Sequence, residues 1–129
     1  MTGITQEVII LLRIIYHKRP NGEEPAKEWL GALERQNPSV HKNILAKIDK
    51  FQLEGFKLIA TDMLGSIRGY PNMYEIRGGR CRIIGYNDEI RDVFVLLCGL
   101  MKTKQREQGQ IAFACRLANE YLSNVEGGG

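Results

Sequence analysis

Residues 73–86 read MYEIRGGRCRIIGY, and this stretch decides the fold. Two short β-prone runs flank Gly78-Gly79. A Gly-Gly pair supplies the positive φ angles that a two-residue hairpin turn needs. That turn would oppose Arg77 to Arg80, Ile76 to Cys81, Glu75 to Arg82 and Tyr74 to Ile83. Opposed residues share a face of the sheet. One face then gathers Tyr74, Ile76, Cys81 and Ile83 for burial. The other holds Glu75, Arg77, Arg80, Arg82 and, further along, Tyr86. Three guanidiniums stand there with a single carboxylate, Glu75, which is expected to pair with Arg82. Such a face suits an anion held by bidentate hydrogen bonds, and equally a solvated sheet surface.

Outward from the hairpin, the apolar run Val8 to Tyr16 (VIILLRIIY) predicts a strand near the middle of the sheet. It is far short of the about 20 residues of a membrane helix, and the MTGITQE before it lacks the positive charges expected of a signal peptide. Arg19 to Gly22 reads as a turn. A helix is predicted over Glu23 to Gln36, with Pro25 in its first turn and Ala26, Trp29, Leu30 and Leu33 at helical spacing. Trp29 and Leu33 are expected to pack between helix and sheet. Asn37 is an N-cap candidate and Pro38 opens a second helix. Val40, Ile44, Ile48 and Phe51 form its apolar stripe, with His41 on the surface, and Gly55 stops it. So short a connection predicts an antiparallel helical hairpin.

Thr61 to Pro71 reads as loop. Strands follow at Met73 to Arg77, Arg80 to Tyr86 and Asp92 to Leu100, with Cys98 as a core residue. A basic segment, Lys102, Lys104 and Arg106, leaves the sheet before a last helix bearing Ile111, Ala114, Cys115, Ala118 and Leu122. The order β-α-α-β-β-β-α predicts a two-layer α+β domain with an antiparallel sheet. It fills the chain as one domain with its core in residues 8–122. Lys102, Lys104 and Arg106 would frame, with the Arg face, a groove suited to a phosphate backbone.

Composition sets the limits. The chain has 129 residues, 18 Lys+Arg and 15 Asp+Glu, a net charge of +3. That suffices for a single self-supporting core and excludes disordered or disulfide-built classes. A strong overall DNA-binding charge is excluded too, so a nucleic-acid surface must be local. Three cysteines without a CxxC pair fit a reducing compartment, hence a cytoplasmic location. His17 and His41 lie far from each other and from the cysteines, so no zinc site is expected. Residues 68–106 carry eight Lys+Arg and four Asp+Glu, or +4, leaving −1 for the rest. The modest total averages a near-neutral helical body and a basic sheet end.

The runs Met73 to Arg77, Arg82 to Tyr86 (RIIGY) and Val95 to Gln105 (VLLCGLMKTKQ) resemble the RelE/ParE toxin superfamily, its phage-derived HigB-like branch most of all. Members carry a "YELR" strand, an "RIxY" strand and an "LLxGFxKKTQKTP" segment before the last helix. The likeness spans roughly residues 8–122. It departs from the pattern at Thr103, where the second Lys usually stands, and at Gln108, where a Pro does.

The resemblance implies a toxin of a type II toxin–antitoxin pair that cuts mRNA on the ribosome through the RNA's own 2′-hydroxyl. It implies no metal or organic cofactor. A cognate helix-turn-helix antitoxin would bind the toxin in a hetero-oligomer. By position, Arg82 matches the Arg of "RIxY" and would stabilise the phosphorane. Arg77 matches the end of "YELR" and would contact the scissile region. Lys102 matches the first Lys of "KKTQ", while Lys104 and Arg106 would hold RNA backbone. Tyr86 would stack on a base or donate a proton. Arg80 has no family counterpart and rests on the face argument alone. The alternatives are a ParE-like poison of DNA gyrase and a non-catalytic phage-derived binding module.

Overall fold

A computed structural model describes residues 10–103 and 107–127. The elements run β1 (Ile14–Tyr16), α1 (Pro25–Gln36), α2 (Pro38–Glu54), a 3-10 turn (Gly55–Ala60), β2 (Leu64–Ser66), β3 (Met73–Gly78), β4 (Cys81–Asp88), β5 (Val93–Met101) and α3 (Glu107–Glu126). The class is α+β and the order is the one the sequence predicts, with one short strand added. The sheet order is β1-β5-β4-β3-β2. β1 runs parallel to β5 and every other pairing is antiparallel, so the sheet is mixed and not antiparallel throughout as expected.

Helices cover both faces, α1 and α2 one and α3 the other, so there are three layers and not the two expected, because β4 and β5 alternate apolar residues to either side. Ile76, Ile83, Phe94 and Leu96 pack with Leu30, Leu33, Ile44 and Phe51 of α1 and α2. Phe94 meets Phe51 edge-on at 4.8 Å between ring centres and is enclosed further by Phe56 and Tyr74. Ile84, Val95, Leu97 and Leu100 pack with Ala114, Leu117, Ala118 and Tyr121 of α3. Two bare glycines make room on the first face. A Cβ on Gly85 would stand 2.9 Å from the Val95 carbonyl and inside the Phe94 ring. A Cβ on Gly99 would stand 2.9 Å from Cγ of Trp29. Trp29 thus packs between α1 and the sheet, as its spacing predicts.

The helical hairpin has the predicted joint. The Asn37 side chain accepts a hydrogen bond from the Val40 amide at 3.3 Å, and Pro38 opens α2 where no amide donor is needed. Gly55 ends α2 at φ 69°.

Three further expectations are corrected. The strand of the N-terminal apolar run spans only Ile14–Tyr16 and lies at the edge of the sheet, not near its middle. β4 and β5 are longer and buried on both faces, and they take the interior places. Ile10 and Leu11 precede the strand and are exposed. Secondly, the stretch read as loop contains β2, paired to β3 with Gly65 opposite Glu75.

The third correction concerns the hairpin register. Gly78 is opposite Cys81, Arg77 opposite Arg82 and Ile76 opposite Ile83. The turn is Gly79-Arg80, and Gly79 alone takes positive φ, 59°. One such angle at the first turn position is what a II′-type turn requires. Gly78 stays in the strand, where a Cβ would press on Ile44 of α2 at 3.0 Å. The pairing is displaced by two residues, and side chains alternate with period two. The displacement therefore changes partners but leaves each strand residue on its expected face, while Arg80 moves into the turn.

Candidate anion site at the sheet end

The last residues of β3, the first of β4 and the exit of β5 meet at one end of the sheet. The Lys102 amide donates to the Arg80 carbonyl at 2.7 Å, which ties the β5 exit to the hairpin turn. Two adjoining hollows open there. One, of about 470 Å³, is lined by Gly79, Arg80, Arg82, Lys102 and Thr103. The other, of about 460 Å³, is lined by Lys47, Asp62, Met63, Arg77, Gly79, Arg82 and Lys102. Gly79, Arg82 and Lys102 belong to both, so this is one basic recess.

Beside it, Glu75 lies between two arginines. Its Oε1 accepts from Nε of Arg77 at 2.8 Å and stands 3.8 Å from Nε of Arg82. Arg82 is the more enclosed, with its side chain 11% exposed against 35% for Arg77. Nη1 of Arg82 donates to the Gly79 carbonyl at 2.6 Å and to the Cys81 carbonyl at 2.9 Å. Arg82 thus clasps the turn on which Arg80 sits. A guanidinium anchored this way reaches an incoming anion with little further ordering.

Four of the predicted site residues, Arg77, Arg80, Arg82 and Lys102, come together around this recess. Tyr86 does not. It lies on the same face but four residues along β4 from Arg82, about 13 Å of strand. Its ring packs 6.3 Å from that of Tyr121. Burial and the charges of Asp88 and Glu126 push its hydroxyl pKa up, against a hydrogen bond with Asn72. Lys104 and Arg106 lie outside the described residues.

The sequence reading missed Lys47, Asp62 and Gly65. Lys47 comes from α2, and Asp62 precedes a strand too short to show alternation. A second polar group was missed beside α3. Asp88 is 2% exposed. It accepts from the Tyr121 hydroxyl at 2.7 Å, and Arg91 binds it through its amide at 3.1 Å and Nη1 at 3.0 Å. Burial alone would raise the Asp88 pKa, but these donors together hold it below the usual value. The same pairing, added to burial, pushes Tyr121 up to about 12. Nearby, buried His17 meets Glu120 at 2.8 Å, and Arg19 reaches the same carboxylate at 3.3 Å.

Among the described residues there is no cluster of His, Cys, Asp and Glu fit to hold a metal ion. None of their helices is long and apolar enough to cross a membrane. No protein-family model and no curated protein matches the chain.

Proposed function

We propose that the chain is a RelE/HigB-like toxin that cuts mRNA on the ribosome and is neutralised by a helix-turn-helix antitoxin. The observation that carries this reading is the recess itself. Arg77, Arg80, Arg82 and Lys102 line two adjoining hollows that share Arg82 and Lys102, and Glu75 stands beside both Arg77 and Arg82. Such a density of positive charge on two strands, their turn and the exit of a third is suited to a phosphodiester.

In the reaction, the RNA 2′-hydroxyl loses its proton as O2′ bonds to phosphorus. The bond from phosphorus to O5′ breaks, O5′ takes a proton, and a 2′,3′-cyclic phosphate remains. Negative charge grows on the non-bridging oxygens of the phosphorane. Arg82 and Arg77 are placed to stabilise it, because their guanidiniums are held before substrate arrives. Lys102, exposed at the exit of β5, adds a further positive charge. No step calls for a metal or an organic cofactor. The site of action would be the cytoplasm, with its translating ribosomes.

The test is controlled expression in cells, with translation rate, mRNA 5′ ends and DNA integrity followed together. The expected result is cuts within translated messages that disappear in Arg82→Lys and Arg77→Ala variants that remain folded. DNA damage without such cuts would instead make the chain a gyrase poison. A folded chain without toxicity would make it a binding module.

A further inference from the structure

Gly65 sits on the edge strand β2, opposite Glu75, and the Arg77 side chain crosses over it. A Cβ built there would stand 2.6 Å from Cζ of Arg77 and 3.2 Å from its Nε, and nearer still to Nη2. Real Cβ atoms do not come so close. The three nearest obstructing atoms all belong to the far end of the Arg77 side chain. The Gly65 backbone is not among those at positive φ, so an L-residue fits its conformation. Gly65 thus differs from Gly85, whose Cβ would strike the Phe94 ring and the Val95 carbonyl. At Gly65 the fold itself does not require the missing side chain. The guanidinium of Arg77 does.

We propose that Gly65 is a positioning residue, a bare shelf on which the Arg77 guanidinium rests so that it meets a phosphate of single-stranded RNA. This rests on the reading of the recess as an RNA site. Glu75 holds Nε of Arg77 at 2.8 Å from one side, and the shelf fixes the height of the group above the sheet. Nε is taken by Glu75 and Nη2 lies nearest the shelf, so Nη1 is the guanidinium nitrogen farthest from it. A methyl group at position 65 would push the guanidinium off the strand and change its direction toward a ligand.

The proposal makes stability and binding move in opposite directions. Alanine is favoured over glycine inside a strand, so Gly65→Ala is expected to keep or raise the melting temperature. Its affinity for a short single-stranded RNA is expected to fall about tenfold, the scale of one lost bidentate contact. Against Arg77→Ala, the double variant is expected to bind no worse than Arg77→Ala alone, because both changes remove one interaction. Ser66→Ala, with its exposed side chain one position along, is the control.

A second readout needs no RNA. The Arg77 Nε–H signal in nitrogen-15 NMR is expected to shift and exchange faster with solvent in Gly65→Ala, and to stay in place in Ser66→Ala. An unchanged Arg77 signal in Gly65→Ala would overturn the shelf. So would additive losses in the double variant, or a lowered melting temperature together with the weaker binding. Absence of RNA binding by the unaltered chain would overturn the RNA reading and the ligand assigned here. The NMR comparison would then still decide whether Gly65 positions Arg77.

Discussion

Arg77 and Arg82 stand directly opposite each other across the β3–β4 ladder, with one carboxylate oxygen of Glu75 2.8 Å from the first and 3.8 Å from the second. Like charges opposed in this way are destabilising on their own. Glu75 offsets the repulsion inside the fold, and the pair keeps an excess of positive charge for a ligand.

Replacing Glu75 by Gln removes that offset. The pair is partly enclosed, so the expected loss of stability is about 1–2 kcal/mol, between an exposed and a buried ion pair. The deficit should shrink as salt screens the two arginines. Urea denaturation at low and high ionic strength checks this, and a deficit independent of salt would contradict it.

Arg82→Lys keeps the charge but loses the fork. A lysine ammonium cannot hold the Gly79 and Cys81 carbonyls and still address a phosphate with paired donors. The expected cost is about 1–3 kcal/mol in stability, with RNA binding reduced at least tenfold. Thermal unfolding and RNA titration of the same preparation measure both. Restoration of binding by lysine would show that Arg82 acts only as a point charge.

Tyr121→Phe leaves the buried Asp88 without its hydroxyl donor, at an expected cost of about 1–3 kcal/mol. The pH dependence carries a further signature. Folding depresses the Asp88 pKa, so its contribution is present above the ordinary carboxylate value near 3.8 and is lost as pH falls further. Folding raises Tyr121 from 10.0 to about 12. Its contribution is therefore complete below pH 10 and is lost between pH 10 and about 12. Stability followed across that alkaline window should fall in the unaltered chain, and the phenylalanine variant should lack the part due to Tyr121.

Gly85→Ala is expected to be far more harmful than Gly65→Ala. The new methyl must displace Phe94, the centre of an aromatic cluster, and it also meets a backbone carbonyl that cannot move away. Overpacking of this kind costs about 1–3 kcal/mol or more. Circular dichroism melts of the two alanine variants make the comparison. Equal stabilities would mean that the Phe94 ring has somewhere else to go.

The site was legible where it depended on local pattern. Arg77, Arg80, Arg82 and Lys102 lie together because strand alternation fixes the face, even though the turn sits one residue beyond the predicted one. The helical joint at Asn37-Pro38 was readable for the same reason, since a cap acts within three residues. Lys47, Asp62 and Gly65 were not readable, because what brings them to the recess is the packing of α2 and the pairing of β2. Tyr86 shared the right face, but the sequence reading took no account of distance along it. The edge position of β1 was hidden because an apolar run looks the same at a covered edge as in the middle of a sheet.

The parallel pairing of β1 with β5 joins Ile14 to Phe94, eighty positions apart in the chain. The helical hairpin and the β2–β4 meander need only near neighbours, so they can form early. β1 must wait for β5, the strand that also brings Lys102 to the recess. Closing so long a loop is slow. A nascent chain that has not yet released β5 therefore cannot complete the charged recess, and the order of synthesis delays its assembly until β5 and Lys102 have been made.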